Sequence, residues 1–318
     1  MNPEPPLLTK PIVELTQTET ISSAALKAPQ ILHFFLFQSV PCVGFIIALV
    51  LLSWFPISSV EVGLLIGMWF LTQGGFTVGW HRLFSHRAFK TTTPVRIILA
   101  ILGSMAAQGP LLLAVAEHRR HHEYPDQQGD PHSPHLHGEG FGGRLKGLWH
   151  SHAGWLVTTN EHANTIRYVP DLLRDRAIST VSQYYLLWVV LGLSIPTILG
   201  GVITNSWIGA CQGFLWGGLV RIFLVNNLIG GVNSIVHVYG GRGFNTNDQS
   251  RNNIWLALPT LGEAWHNNHH AFPQSAIFGL RWWQIDIGGW LILTLEKIGL
   301  AWDVKAPTTA MIEAKKAS

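Results

Sequence analysis

Residues 95–122 read VRIILAILGSMAAQGPLLLAVAEHRRHH. From Val95 to Ala116 the stretch is uncharged apart from Arg96, and its 22 residues are enough to cross a bilayer. It runs directly into His118, His121 and His122. Whether these residues span the membrane or lie along it decides the architecture of the chain.

Composition points to a membrane. Of 318 residues, 47% are hydrophobic, 14 are Trp and only 12% are charged, against about 25% charged in an ordinary soluble domain. Residues 1–30 carry prolines and scattered polar groups with no continuous apolar run, so a disordered or surface-lying tail is expected and not a signal peptide. Cys42 and Cys211 both sit in apolar runs, which supports neither a disulfide framework nor a thiolate metal site; both read as apolar fillers. Four further stretches reach spanning length: Ile31 to Phe55, Glu61 to Gly79, Tyr184 to Ile203 and Trp207 to Ile229. The turns FPISS and TNS join them into two hairpins, each leaving and returning on one side of the membrane.

Histidine follows the apolar segments. His81 and His86 come after the second stretch, His118, His121 and His122 after the Val95 to Ala116 stretch, Asn233 and His237 after the fourth. His266, His269 and His270 lie in EAWHNNHHAF, residues 263–272. Residues three and four apart share a helical face, so His118 is expected to project with His121 and His122, and HNNHH repeats that spacing. Nine imidazoles exceed what one tetrahedral metal takes, so two metals with an all-imidazole shell are expected. The bland alternative, a hydrogen-bonded network of desolvated rings without a cation, would be costly to satisfy.

These clusters place the opening stretch. If Val95 to Ala116 crossed the bilayer, His81 and His86 would be separated from His118 to His122 by about 30 Å and could not share a metal site with them. It is therefore expected to lie at the interface or pack in a re-entrant way, leaving four true spans. The outer turns, 54–60 and 204–206, contain no Lys or Arg. Arg82, Arg87, Lys90, Arg119, Arg120, Arg144, Lys146, Arg167, Arg174 and Arg176 all fall on the histidine side. That side, with both termini, is expected to be cytoplasmic.

HRLFSH, HRRHH, NSIVH and HNNHH, in this order and at these separations, resemble the integral-membrane fatty acyl desaturases, in particular the stearoyl-CoA and bacterial or cyanobacterial Δ9 branch. The likeness runs from about Ile31 to Val304, with QGP at Gln108 to Pro110, GDPH at Gly129 to His132, SHAGWL at Ser151 to Leu156 and SRN at Ser250 to Asn252 in agreement. It implies an all-α integral membrane protein: four transmembrane helices in two hairpins, an interfacial helix, and a cytosolic helical cap carrying the histidines. It implies one domain over residues 31–304 and a C-terminal tail over 305–318. It also implies two non-haem iron ions held by His81, His86, His118, His121, His122, His237, His266, His269 and His270, with O2 as co-substrate and two electrons from outside. Neutral imidazole suits iron, and open coordination positions let O2 react.

Other residues take roles beside those ligands. Glu117, Glu263, Asp130 and Asp248 are candidate acceptors for the far nitrogen of a ligand imidazole. Asn233 stands where the family has a polar residue next to the site, and its amide is placed to hold a metal-bound water. An acyl chain needs a narrow apolar tunnel, with Trp69, Phe70, Gln73, Gln108 and Trp155 as candidate walls. Ala114, Val115 and Ala116 depart from an aromatic often found before the second cluster, which puts the Δ9 position in doubt. His33, His150 and His162 read as satisfied core histidines, His132, His135 and His137 as a solvated Gly/Pro loop, and His152 as intermediate. Arg221 interrupts the fourth span and is expected to face protein or snorkel. Gly74, Gly75 and Gly79, and Gly213, Gly217 and Gly218, allow close helix packing or make room for a chain.

The sequence contains no iron–sulfur cysteine pattern, dinucleotide fingerprint or haem module. A separate donor, ferredoxin or cytochrome b5-like, is expected, with Arg119, Arg120, Arg144, Lys146, Arg174 and Arg176 as its basic docking face or as topology determinants. The other partners expected are an acyl chain linked to CoA, carrier protein or lipid, and membrane lipid, with no nucleic acid. Three readings stand: an acyl desaturase inserting a cis double bond, a related histidine-box hydroxylase, and a metal transporter or sensor. The last would place its ligands along a pathway within the spans, whereas here they gather at one membrane face.

Overall fold

The computed structural model describes residues 18–22 and 24–317. Among them, four helices are long and apolar enough to cross a membrane: Lys27–Leu51, Ser59–Ser85, Tyr185–Thr204 and Trp207–His237. The first hairpin turns at Ser58, whose hydroxyl accepts from Val60 N while its own N–H donates to Glu61 at 2.7 Å, a capping box that starts the second span at Ser59. The second hairpin turns at Asn205, which adopts φ 47°, and Ser206 then caps Ile208 N. The second and fourth helices run past the boundaries expected from hydropathy, to Ser85 and His237 instead of Gly79 and Ile229. At 27 and 31 residues they measure about 40 and 46 Å, so they rise well beyond an apolar core about 30 Å thick. His81 and His237 therefore sit on the spans' own extensions and not in loops after them.

The opening stretch is not one helix. It breaks into Thr93–Ser104 and Leu111–Glu123, each too short to span. Ala107 (φ 62°) and Gly109 (φ 96°) turn the backbone at the break, and Pro110 prevents the helix from resuming earlier. Backbone groups freed at membrane depth need partners, and the spans and the short helix Arg176–Gln183 supply them. Gly109 N donates to Tyr185 Oη at 3.1 Å, Leu112 N donates to Ser182 Oγ at 3.1 Å, and the Met105 carbonyl accepts from Arg221. Arg221 is fully buried and also donates to the Gly192 and Gly217 carbonyls, so it faces protein as expected. Gly75 serves close packing: a Cβ there would lie 2.4 Å from Gly103 N. Gly213 does the same against the Pro196 carbonyl at 2.1 Å, which favours packing over room for a chain at these two positions.

The cap surrounds the extended second and fourth helices. It includes Gly140–Trp149, Ile287–Lys297 and the short histidine helix His266–Ala271, with a core of Trp80, Phe84, Leu111, Val115, Ile178 and Ile292 beneath. Two small antiparallel pairs add to the helices, Thr20–Ser22 with Glu161–Ala163 and Lys90–Thr91 with Ala301–Trp302. The first pair corrects the expected N-terminal tail. Residues 1–17 of that tail lie outside the described residues, but the chain is already tied to the cap at Thr20 and helical from Ala24. The expected C-terminal tail is likewise built in. Thr309–Lys315 is a helix, and Lys316 pairs with Phe244. Cys211 is exposed on the fourth span and not a buried filler.

Candidate metal centre

The histidines converge as two groups. His81, His86, His118, His122 and His269 form one; His121, His237, His266 and His270 form the other. Helix register makes the division. On Leu111–Glu123 the i,i+4 pair His118 and His122 enters the first group, while His121 points into the second. On His266–Ala271 the i,i+4 pair His266 and His270 enters the second and His269 the first. The expectation that all three histidines of each box act together is thereby corrected, and each helix bridges both groups. His81 and His86 reach one group because Gly75–Ser85 is π-helical, with His86 N bonded to the His81 carbonyl at 3.1 Å. A π-helix bonds residues five apart and so keeps them near one face, whereas an α-helix would send these rings to different faces.

Carboxylates fix the rings. Nδ1 of His121 donates to Asp130 at 2.9 Å, Nδ1 of His237 to Asp126 at 2.9 Å and Nδ1 of His270 to Asp248 at 3.1 Å, and His81 Nδ1 bonds Glu263. Arg82, fully buried, holds Glu263 in turn and bonds Asp286 at 2.8 Å. A ring that gives its Nδ1–H to a carboxylate presents a bare lone pair at Nε2. Those Nε2 atoms meet other ring nitrogens: His81 Nε2 to His269 Nε2 is 3.1 Å, His237 to His266 2.9 Å, His266 to His270 3.0 Å and His121 to His270 3.4 Å, with His266 and His269 making no hydrogen bond at Nδ1. Ring nitrogens bound about 2.1 Å from one ion lie about 3.0 to 3.4 Å apart, which these separations match. His121 and His270, both held at Nδ1 by carboxylates, turn two buried acceptors toward each other with no donor between them, which fits a cation and not a hydrogen bond.

Electrostatics agree. Burial first, then the neighbouring imidazoles, holds His86, His118, His122, His266 and His269 well below the usual histidine range, so they are neutral at pH 7 as ligands must be. His270 is held down in the same way. Asp126 and Asp130 stay below the ordinary carboxylate range: burial works against ionisation, but hydrogen bonds and charge from His237 and His121 outweigh it.

A cavity of about 710 Å³ opens beside the metal groups. His81, His118, His121 and His266 lie on its wall together with Leu32, Leu36, Phe37, Leu113 and Leu186. Gln73, Gln108, Trp155 and Asn233 line it as well. Trp69 does not; it packs on Ala106, Val225 and Ile229, while Phe70 is exposed on the lipid side. Glu117 does not hold a ligand ring. It accepts from Ala163 N at 2.8 Å, and its other oxygen is buried without a hydrogen bond at the cavity. His33 and His162 line the cavity instead of a closed core, and His132 is buried, stacked 4.5 Å from His121, instead of solvated. His135 donates to the His237 carbonyl at 2.9 Å, His137 lies against His150 with the rings tilted by 41°, and His152 bonds Ser234 and Asn227 away from the cavity. Arg119 is tied to Asp171 and to the Phe84, Ser85 and Tyr168 carbonyls, and Arg120 is buried, so neither belongs to a free basic face.

Asp126 was not anticipated. Its signal is weak in sequence, an acid after Pro125 just past the histidine helix, but in the structure it adopts φ 57°, a conformation that costs energy in a non-glycine residue and is held by the site around it.

Residues 53–288, which carry all nine histidines of the two groups, match the model of the fatty acid desaturase family. The chain belongs to that family. The desaturase is 58% identical over 302 residues to the hex-5-enoyl-[acyl-carrier protein] acetylenase of Moorena producens, covering 94% of each chain. It is 38% identical over 254 residues to the sn-1 stearoyl-lipid 9-desaturase of a Synechocystis species, covering 79% of this chain and 74% of that one. It is 37% identical over 241 residues to the Delta-9 acyl-lipid desaturase 1 of Arabidopsis thaliana, covering 74% and 72%. The desaturase is thus a membrane oxidoreductase acting on fatty acyl chains, and its histidine groups are fit to hold metal.

Proposed function

We propose that this desaturase removes hydrogen from an acyl chain carried on an acyl-carrier protein, using O2 and two iron ions. The observation that carries the carrier-protein reading is the 58% identity with the acetylenase over 94% of both chains, well above the 38% shared with the lipid 9-desaturase. Two hydrogens leave adjacent carbons and a carbon–carbon bond gains one order: a saturated chain gives an alkene, and a terminal alkene gives an alkyne. O2 becomes two waters, taking those two hydrogens together with two electrons from a donor protein and two protons.

The first iron would be held by His81, His86, His118, His122 and His269, the second by His121, His237, His266 and His270. Bound iron supplies the oxidising power that an unactivated C–H bond demands. The protein's own residues do the rest. Leu32, Leu36 and Leu113 hold the chain in an apolar, water-poor cavity that passes both groups, which fixes the reacting carbons against them. Gln108, bonded to Asn226, narrows that cavity. Asn233, with no side-chain hydrogen bond among the described residues, offers its amide to a water at the metal side. The cap and the termini described here face the cytoplasm, in keeping with the arginine and lysine bias.

A second reading, cis desaturation at Δ9 of a lipid-linked saturated chain, rests on the Synechocystis and Arabidopsis relatives. The purified, iron-loaded protein given reduced ferredoxin, hexanoyl- and hex-5-enoyl-carrier protein, and stearoyl glycerolipid in parallel separates them by product mass. Loss of two hydrogens from the carrier-bound chain supports the proposal. Reaction on the lipid alone replaces it with the second reading, and gain of one oxygen replaces it with a hydroxylase.

A further inference from the structure

A second cavity, of about 860 Å³, lies on the flank of the cap and shares no lining residue with the first. One part of its wall is cationic, formed by Arg242, Arg281 and Lys316; another is apolar, formed by Ile254, Trp255 and Trp283. Glu313 is the one carboxylate on the wall, and Lys316 already pairs with it. Arg242 spends its donors on the Asp248 and Thr246 carbonyls, whereas exposed Arg281 has no side-chain partner among the described residues. Trp255 is 86% exposed and shares the cavity wall with exposed Ile254 and Trp283, so the apolar side chains here are grouped and not scattered singly.

Two contacts give the depth of this cavity. Trp265, on its floor, donates to the Ile285 carbonyl, and the next residue, Asp286, bonds Arg82 of the second span. Counted from Ser59, about 20 residues of apolar helix end near Val78, so Arg82 stands about 6 Å outside the hydrocarbon. On the other side, Leu256 beside Trp255 packs against Gly231 of the fourth span. Counted from Trp207, Gly231 stands about 7.5 Å outside. The headgroup layer occupies about the 5 to 8 Å beyond the hydrocarbon, and Trp gathers there because one ring serves both sides.

We propose that this cavity is a binding site for an anionic phospholipid, its phosphate on the free guanidinium of Arg281 with Lys316 and Arg242 adding positive charge to the wall, and an acyl tail against Ile254, Trp255 and Trp283. The site holds a structural lipid at the cap's edge, separate from the acyl chain that reacts. It rests on the membrane reading of the four spans and not on the choice of reacting substrate.

The test uses the full-length iron-loaded protein in detergent. Thermal unfolding is followed while phosphatidylglycerol, phosphatidylcholine or glycerol 3-phosphate is titrated in, since a ligand of the folded state raises the midpoint by mass action. Phosphatidylglycerol should raise it and phosphatidylcholine should not. Arg281→Gln with Lys316→Gln should weaken the phosphatidylglycerol effect about 30-fold, from the ordinary worth of two basic side chains at an anionic surface. Arg144→Gln with Lys146→Gln, elsewhere on the cap, should leave it unchanged. Iron content reports that the variants fold. Equal effects of the two lipids, an effect of glycerol 3-phosphate as large as that of the lipid, or a wild-type response in the Arg281/Lys316 variant would each overturn the site. A variant that keeps the lipid response but loses reduction by ferredoxin would make this face a donor dock instead.

Discussion

Asp126→Asn isolates one charge beside one metal group. Asp126 Oδ2 accepts from His237 Nδ1 at 2.9 Å and from Gln249 N at 2.8 Å, and Oδ1 accepts from Ser133 Oγ at 2.7 Å. An asparagine can keep all three contacts, because the Ser133 hydroxyl turns from donor to acceptor. What is lost is the negative charge that makes His237 the more basic ligand. Such an outer carboxylate is worth about 10- to 100-fold in metal affinity, or about 1.4 to 2.7 kcal/mol. His237 belongs to the second group alone, so the effect should be confined to one ion. Iron-loaded protein is held against a chelator, and retained iron is followed by elemental analysis. The expected record has two phases: half the iron leaves at the wild-type rate and half about 10- to 100-fold faster, with helix content intact by circular dichroism. Loss of both irons together, or no change in either phase, would refute the assignment of His237 and Asp126 to one site of two.

Metal-free protein should lose stability as pH falls below about 6.5. The folded state holds His86, His118, His122, His266, His269 and His270 below their ordinary range, so below 6.5 the unfolded chain binds more protons, and each group then costs up to about 1.4 kcal/mol per pH unit. Asp126 and Asp130, also shifted downward but from a lower ordinary range, add their loss only below about pH 4; denaturant midpoints at pH 8, 6.5 and 5 check the order. Arg221→Met should destabilise by about 3 to 5 kcal/mol, because three buried carbonyls, at Met105, Gly192 and Gly217, lose their donor together. An unchanged melting temperature in detergent would contradict that. Gly75→Ala should prevent accumulation of folded protein, since its Cβ would meet the Gly103 backbone at 2.4 Å, whereas Gly67→Ala, with nothing within 4 Å, should be tolerated; size-exclusion profiles distinguish the two.

Much of the site was legible in sequence because the chemistry uses a scarce residue at helical spacing. His118 with His122, and His266 with His270, are i,i+4 pairs that any α-helix brings together. Asp130, Asp248 and Glu263 are readable as partners from their closeness to the boxes. Asp126 was not, since nothing local distinguishes a carboxylate that will meet His237, 111 residues away. Glu117 misled for the opposite reason. Adjacency to His118 along the chain puts it about 100° around the helix, toward Ala163 and the cavity.

The sequence by itself determined which four segments are fit to cross a membrane and which residues gather at one face, because hydropathy and helical period are local properties; that Val95 to Ala116 does not cross followed from the need of His81 and His86 to share a side with His118 to His122. Only the tertiary structure decided where that segment breaks, how nine imidazoles divide between two groups, and which carboxylate serves which ring. Those outcomes depend on backbone turns at Ala107 and Gly109, on a π-helical register at His81 and His86, and on contacts between residues far apart in the chain. They are set by packing and by the need to pair every buried polar group, and a linear pattern carries neither.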